Sequence, residues 1–196
     1  MHAAVCDFIL DCLQNSIEAE ASEIKLLIDE HSDSFSVAIT DNGIGMTEDE
    51  LKCAVDPFFT DGLKHKKRKV GLGLPFMIQA VQQVDGDWSL DSVKGRGTEL
   101  GFTFNLKHVD TPPIGDISGM MLQVLMFDGD FELEFERRFE KNGSADSYLL
   151  KRSEIIEVLG DLNDAESLIM AKQFLSSQEE DDLLKKEDDL LKKEDL

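Results

Sequence analysis

The sequence predicts a fold of the α+β class, because helical and strand patterns occupy separate segments of the chain. Apolar residues recur at three- and four-residue steps from residue 3 to 21, which is the spacing of an amphipathic helix. Residues 23–29 and 34–40 alternate apolar and polar side chains, as half-buried strands do. Residues 88–93 and 98–106 also have strand patterns and flank a glycine-rich turn. Each pair of neighbouring strands predicts a β-hairpin, which is an antiparallel unit.

Composition restricts the partners and the compartment. The chain has 196 residues, enough for one domain or for one domain with an appendage. Its net charge of -21 argues against general affinity for nucleic acid or anionic membranes, which attract basic surfaces. No apolar run approaches the roughly 18 residues of a membrane span, and no leader opens the chain. We therefore expect a cytoplasmic protein whose cysteines, Cys6, Cys12 and Cys53, are reduced and mostly buried.

The first predicted helix carries polar residues beside its apolar stripe. Asp11 and Asn15 lie four residues apart, and Glu18 follows three residues later. This spacing places all three side chains on one flank of the helix, where they can face a ligand. A solvated helix face has the same appearance, so these residues alone leave both interpretations open.

A glycine motif follows the strand predicted at residues 34–40. The strand leads directly into Asp41, and Gly43 and Gly45 follow at a spacing of two. Glycine has no Cβ, so the backbone can turn tightly here and approach a flat ligand closely. A turn at the end of a strand and a ligand pocket are about equally compatible with this motif alone.

A second glycine motif stands in a setting that suits phosphate. Residues 47–55 predict a helix with an N-cap threonine, and residues 61–70 form a basic run in an otherwise acidic chain. The run leads into Gly71-Leu72-Gly73-Leu74, and a periodic helix follows at residues 75–84. Free backbone N–H groups and the helix dipole both favour an anion at such a helix start.

Four motifs follow one another along the chain: Asp11-Cys12-Leu13-Gln14-Asn15-Ser16-Ile17-Glu18-Ala19, Asp41-Asn42-Gly43-Ile44-Gly45, Gly71-Leu72-Gly73-Leu74 and Gly95-Arg96-Gly97-Thr98. In this order they resemble the four boxes of the GHKL ATP-binding superfamily. That group holds type II topoisomerase B subunits, heat-shock chaperones, histidine kinases and MutL-type repair ATPases. The resemblance covers roughly residues 1–108. It implies a two-layer α/β sandwich, with helices on one face of a mixed, largely antiparallel sheet.

The resemblance also implies a role for each matched residue in binding ATP and Mg²⁺. Asn15 would ligate the metal ion through its amide oxygen, which is a suitable hard ligand. Asp41 would accept a hydrogen bond from the adenine amino group, and Thr98 would help through its hydroxyl and a water. Gly43 and Gly45 would let the backbone pass close to the base.

The phosphates would be held by Gly71, Leu72, Gly73 and Leu74, with the preceding basic run as a lid that supplies a cation. Asp11 stands where the ATPases of the group carry a glutamate that orients or deprotonates water. Aspartate is one methylene shorter, so we expect slow hydrolysis if Asp11 is catalytic. Only His2 precedes the first helix, and we therefore expect no phospho-acceptor histidine of the conventional kind.

The sequence predicts that the chain divides into four parts. They are residues 1–109 (ATP-binding domain), 110–117 (linker), 118–178 (small α+β appendage) and 179–196 (acidic tail). In the appendage we expect a hairpin of residues 121–127 and 131–136, followed by helices at residues 148–159 and 165–175. The tail repeats a heptad with leucine pairs, and two heptads favour a frayed helix or a disordered tail over a coiled coil. A structural addition and an interaction module are equally compatible with the appendage.

Taken together, the sequence predicts an Mg²⁺-dependent ATP-binding protein of the histidine kinase-like type. We expect ATP binding, slow hydrolysis or phosphotransfer to regulate a protein partner through the C-terminal region. The alternative is a non-catalytic ATP sensor, in which lid closure changes the surface that the C-terminal region offers. Neither nucleic acid nor a membrane is an expected partner.

Overall fold

The computed structural model describes residues 4–56, 73–141, 144–160, 162 and 164–180. These ranges contain six helices and six strands. In chain order the elements are α1 (Val5–Glu18), β1 (Glu23–Glu30), β2 (Ser34–Asp41), α2 (Glu48–Val55), α3 (Gly73–Gln83), β3 (Asp87–Val93), β4 (Gly97–Asn105), α4 (Ile117–Leu125), β5 (Glu132–Lys141), β6 (Ser144–Lys151), α5 (Arg152–Leu159) and α6 (Ala165–Glu180).

The six strands form one mixed sheet. Its strand order is β3-β4-β2-β1-β5-β6. Four of the five pairings are antiparallel, and the pairing of β1 with β5 is parallel. The sheet is therefore largely antiparallel, as the resemblance implies. The parallel pair joins the first strand of the chain to a strand of the predicted appendage.

The helices cover one face of this sheet. Buried positions alternate along the central strands, as at Ile24, Leu26 and Ile28 of β1, and the positions between them are half-buried or exposed. The apolar stripe of α1, which includes the fully buried Ile9 and Leu13, belongs to the same core. This is a two-layer α/β sandwich, and the predicted fold class is confirmed. No helix in the described ranges has the length and apolar character needed to cross a membrane.

Most elements of the N-terminal half lie where the sequence predicts them. The helix predicted at residues 47–55 is α2, and its Thr47 cap accepts a hydrogen bond from the Glu50 backbone N–H (3.3 Å). Glu50 returns the contact by accepting from the Thr47 N–H (2.9 Å), which completes a capping box. The basic run at residues 61–70 and residues 181–196 of the predicted tail lie outside the described residues.

The predicted hairpin of residues 121–127 and 131–136 is wrong. Residues 121–125 belong to α4, in which Met120, Met121, Val124 and Leu125 are buried at helical spacing. A short apolar run has no clear period, so a helix and a strand look alike in it. The N-cap Asp116 decides for the helix, because its carboxylate accepts a hydrogen bond from the Gly119 N–H (2.8 Å).

The strand β5 pairs instead with β6, a segment that carries the first part of a predicted helix. Residues 148–151 lie in β6, and the helix predicted at residues 148–159 begins only at Arg152, as α5. β6 is an edge strand, so it needs little apolar alternation and gives little signal in the sequence. The second predicted helix, at residues 165–175, is confirmed as part of α6.

The connecting segment, residues 106–116, runs from β4 to α4 along the start of α1. The carbonyl oxygens of Pro113 and Ile114 accept hydrogen bonds from the backbone N–H groups of Val5 and Cys6 (both 2.9 Å). These N–H groups belong to the first turn of α1 and have no acceptor within the helix. The segment predicted as a linker therefore stabilises the helix that carries Asp11 and Asn15. The division of the chain into domains stays a prediction.

A buried arginine joins the C-terminal elements to β1. Arg137 on β5 is 3% exposed and forms an ion pair with Glu30 at the end of β1. Its Nε lies 3.5 Å from Oε1 of Glu179 on α6, and its guanidinium carbon lies 5.1 Å from the centre of the Phe139 ring. The Tyr148 hydroxyl also donates to Glu179, and burial together with this hydrogen bond raises the pKa of Tyr148. The network connects β1, β5, β6 and α6.

We expect Arg137→Ala to lower the free energy of unfolding by about 3 kcal/mol, because two partly buried carboxylates lose their shared cation. Urea unfolding followed by circular dichroism measures the loss. The control is Arg138→Ala, whose side chain is 49% exposed and pairs with Glu136 at the surface. It should cost at most about 1 kcal/mol. Equal losses for the two variants would contradict the role of the network.

Candidate functional site

The candidate site is built around the last residue of β2. Asp41 is 8% exposed, and Ser16 on α1 is 5% exposed. The Ser16 hydroxyl donates to Oδ2 of Asp41 (2.8 Å), and the backbone N–H of Gly43 donates to Oδ1 (2.9 Å). Among the residues that the structure describes, each carboxylate oxygen therefore has one donor and keeps further lone pairs for a ligand.

Strand register brings Asp41 and Thr98 together. Thr98 on β4 lies directly opposite Asp41 on β2, and Ser92 on β3 lies directly opposite Thr98. Directly opposite residues of antiparallel strands point to the same face of the sheet. The hydroxyl oxygens of Ser92 and Thr98 are 2.9 Å apart. The three side chains thus form a polar row across three strands, at the end of the sheet covered by the C-terminal half of α1.

Two glycines allow the loops at this end of the sheet to approach each other. Gly45 has φ +56°, and a Cβ there would lie 2.1 Å from the Val93 carbonyl oxygen. Gly97 has φ +108°, and a Cβ there would lie 1.9 Å from the carbonyl oxygen of Asp41. Both the backbone conformation and the space exclude a side chain at these positions. The glycines of the second and fourth sequence motifs are therefore required by positive φ and by the close approach of neighbouring backbone.

The loop after β2 is fixed to the connection between α1 and β1. The side-chain oxygen of Asn42 accepts hydrogen bonds from the backbone N–H groups of Ser22 (2.9 Å) and Glu23 (3.0 Å). The Ile44 N–H donates to the Ala19 carbonyl (2.8 Å). These bonds leave little freedom for the backbone that follows Asp41, so the site is held in place before any ligand arrives.

The start of α3 lies against Asp11. Gly73, the first residue of α3, is buried, and a Cβ there would lie 2.5 Å from Oδ2 of Asp11. Asn15 lies one helical turn beyond Asp11 and is exposed, whereas Leu74 is half-buried. The structure therefore places the first and third sequence motifs side by side. Gly71 and Leu72 lie outside the described residues.

The sequence analysis missed two serines of the site, Ser16 and Ser92. Ser16 lies four residues after Cys12 on the buried stripe of α1, where a hydroxyl needs a partner. Ser92 lies on the inward side of β3, in line with Trp88 and Leu90. A polar residue at an apolar position of the pattern is the available signal in both cases, but its partner becomes visible only in the fold.

The two cysteines of α1, Cys6 and Cys12, are free and buried. Burial raises the pKa of Cys12 to about 12, with the Asp11 charge as a further cause. Burial also raises the pKa of Cys6 to about 12, and the charges of Asp116, Asp7 and Glu179 add to the effect. Both thiols stay protonated near neutral pH, so they act as small apolar side chains in the core.

A model of the family of histidine kinase-, DNA gyrase B- and HSP90-like ATPases matches residues 4–109. This range is more than half of the chain. The chain belongs to this family. The match coincides with the range over which the motifs resemble GHKL proteins, and it agrees with the observed sandwich.

Curated relatives of this chain include two kinases and a sensor protein. Sporulation kinase E of Bacillus subtilis strain 168 is 32% identical over 104 residues, which are 50% of this chain and 13% of the relative. Sensor histidine kinase RcsC of Escherichia coli K12 is 28% identical over 115 residues, or 57% of this chain and 12% of the relative. Sensor protein DegM of Bacillus sp. strain B21-2 is 29% identical over 94 residues, which are 47% of this chain and 24% of the relative. The chain thus spans about an eighth of the first two relatives.

The crowding at Gly97 can be tested against a neighbouring glycine of the same turn. Gly95 also has positive φ, +80°, but in the described part of the chain no atom beyond its two neighbours in sequence lies within 4 Å of a Cβ built there. Gly95→Ala should cost about 1 kcal/mol of unfolding free energy, because only the backbone conformation is strained. Gly97→Ala should cost about 3 kcal/mol or more, because β2 and β4 must also move apart. Urea unfolding of both variants measures the difference, and similar losses would contradict the close approach at Gly97.

Proposed function

We propose that this ATPase-family protein binds ATP with Mg²⁺ and uses binding, slow hydrolysis or phosphotransfer to regulate a protein partner in the cytoplasm. The observation that carries the proposal is the carboxylate of Asp41. Ser16 and the Gly43 N–H hold it by one oxygen each at the end of β2, opposite Thr98. In a family of ATPases, this is the group best placed to recognise the base.

Asp41 suits the amino group of adenine for a chemical reason. An ionised carboxylate has lone pairs and no proton, so it accepts hydrogen bonds and donates none. The adenine amino group supplies a donor, and a charge-assisted hydrogen bond of this kind contributes about 1.5–3 kcal/mol. The backbone at Gly43 and Gly45 has no side chains to keep the flat base away.

The chain also offers groups that fit a magnesium ion and a triphosphate. The side-chain oxygen of Asn15 is a hard ligand, and the residue is exposed on α1, one turn beyond Asp11. Mg²⁺ bound there would neutralise part of the phosphate charge. The N-terminus of α3 at Gly73 offers backbone N–H groups, and the next residue of the motif is Leu74. Gly71, Leu72 and the basic run complete the proposed phosphate site from outside the described residues.

Asp11 is the proposed catalytic residue. It lies beside the start of α3, and the absence of a side chain at Gly73 is what makes room for its carboxylate. There it would orient or deprotonate a water near the terminal phosphate. Aspartate reaches one methylene less far than the glutamate typical of the ATPases that the sequence resembles, so turnover is expected to be slow.

The second candidate is an ATP sensor without turnover, and the connections of α1 favour it. The connecting segment caps α1, and β5 lies beside β1 in the sheet. A change at Asp11 or Asn15 on ATP binding therefore acts on a helix that contacts the C-terminal half. The sensor would present a different C-terminal surface to its partner in the two states, and it would need no hydrolysis.

We expect Asp41→Asn to weaken ATP binding about ten- to a hundredfold, because an amide donor then faces the donor of the base. Isothermal titration calorimetry with ATP and Mg²⁺ measures the dissociation constant. The control is Asp91→Asn on β3, whose side chain is exposed and lies on the opposite sheet face from Ser92. Its affinity should equal that of the parent. Unchanged binding by Asp41→Asn would show that Asp41 does not bind adenine.

Asp11→Ala separates the enzyme from the sensor. If the protein is an enzyme, release or transfer of the γ-phosphate should fall about a hundredfold or more, while the dissociation constant for ATP changes little. Incubation with γ-labelled ATP, alone and with cell extract, followed by separation of free phosphate from labelled protein, gives the readout. Asp91→Ala is the control for turnover. Binding without turnover in the unaltered protein would instead support the sensor.

A further inference from the structure

We infer that Ser92 is a specificity-determining positioning residue, which fixes the direction of the Thr98 hydroxyl and thereby favours a base that donates a hydrogen bond. The inference rests on the proposed function, in which Asp41 and Thr98 contact the base of a nucleotide. It concerns the choice between 6-amino purines and 6-oxo purines at that contact.

Within the described ranges Ser92 Oγ has three hydrogen-bonding neighbours, and it carries a single proton. The backbone N–H of Met46 donates to it (2.9 Å). The carbonyl oxygen of Gly97 lies 3.0 Å away, and Oγ1 of Thr98 lies 2.9 Å away. A carbonyl oxygen has no proton to donate, so the contact with Gly97 is a hydrogen bond only if Ser92 donates.

The remaining contact fixes the proton of Thr98. Ser92 has one proton, and the Gly97 carbonyl receives it. The contact between the two hydroxyls is then a hydrogen bond only if Thr98 donates to Ser92. This is the one arrangement in which all three neighbours of Ser92 are satisfied. In any other arrangement, one of the contacts places two lone pairs against each other at about 3 Å and forms no hydrogen bond.

The consequence is that the facing side chains of Asp41 and Thr98 offer only acceptors to a ligand. Thr98 has used its proton toward Ser92, so lone pairs remain on the other side of its hydroxyl. Asp41, directly opposite Thr98, accepts hydrogen bonds from Ser16 and Gly43, and a carboxylate is an acceptor. Among the described residues, the neighbouring side chains of β2 and β4 thus present one kind of hydrogen-bonding group.

A pair of acceptors at Asp41 and Thr98 discriminates between purines by the group at their 6-position. The 6-amino group of adenine donates, either directly or through a water that donates to Thr98. The 6-oxo group of inosine or guanine is itself an acceptor and meets lone pairs at the same place. Without Ser92 the Thr98 hydroxyl could turn its proton toward the ligand and accommodate the oxo group. Ser92 therefore raises the preference for 6-amino purines without touching the base.

Ser92 also holds the Met46 N–H, so its loss should loosen the loop that follows Asp41. A merely structural role would weaken binding of every nucleotide by a similar factor. The informative readout is therefore the ratio of the dissociation constants for inosine triphosphate (ITP) and ATP. A changed ratio reports on the direction of the hydroxyl, and a changed ATP affinity alone does not.

The experiment measures binding of ATP and ITP with Mg²⁺ by calorimetry in the parent and in Ser92→Ala. We expect the ITP-to-ATP ratio of dissociation constants to fall about three- to tenfold in the variant, the value of one neutral hydrogen bond. Ser89→Ala is the matched control, because Ser89 is exposed on the same strand and lies on the opposite sheet face. It should leave the ratio unchanged. Ser92→Thr keeps the hydroxyl and should retain most of the preference.

Thr98→Val tests the same inference from the other side and serves if Ser92→Ala fails to fold. It removes the hydroxyl that Ser92 orients, so the ratio should fall, and adding Ser92→Ala should change it by less than about twofold. An unchanged ratio in both single variants, in a protein that binds ATP, overturns the inference and leaves the proposed function standing. A parent protein that binds neither nucleotide overturns the proposed function itself.

Discussion

The packing of Gly97 against the backbone of Asp41 is the constraint on which the site depends. A Cβ at Gly97 would lie 1.9 Å from the Asp41 carbonyl oxygen, so only glycine permits β2 and β4 to meet here. This contact accompanies the register that puts Asp41 opposite Thr98, and Thr98 opposite Ser92. Shifting a strand by one residue would turn all of its side chains to the other face. The polar row of Asp41, Thr98 and Ser92 depends on this contact, because β2 and β4 can pair here only without a side chain at Gly97.

Helix α1 connects this row to the rest of the molecule, because it serves the core and the site together. Its buried stripe packs on the sheet, and Ser16 at the end of that stripe donates to Asp41. Asp11 and Asn15 occupy the flank beside the stripe. The first turn receives its missing acceptors from the connecting segment. Ser16, which holds the proposed base contact Asp41, and Asp11, the proposed catalytic residue, lie on the same helix. The helix therefore sets the distance between the two parts of the site.

The parts that could be predicted from sequence are those with a local signal. Periodicity predicts α1. Glycine spacing predicts the loop that begins after Asp41 and the turn that leads into Thr98, because the positive φ angles in these segments favour glycine. Residues 121–125 were predicted as a strand since a short apolar run has no readable period. The parallel pairing of β1 with β5 involves residues about a hundred positions apart in the chain, and no local pattern encodes it. Ser92 was missed because its partner is set by register.

The same register extends the row beyond the site. Asp41 lies opposite Ile24 on β1, and Ile24 lies opposite Leu133 on β5, so one transverse line runs from Ser92 to the C-terminal half. Ile24 and Leu133 are each 1% exposed. Close-packed interiors have few voids and low compressibility, so a displacement at Asp41 is passed to its neighbours rather than absorbed. The proposed regulation through the C-terminal region would use this packed row, which begins at the proposed base contact.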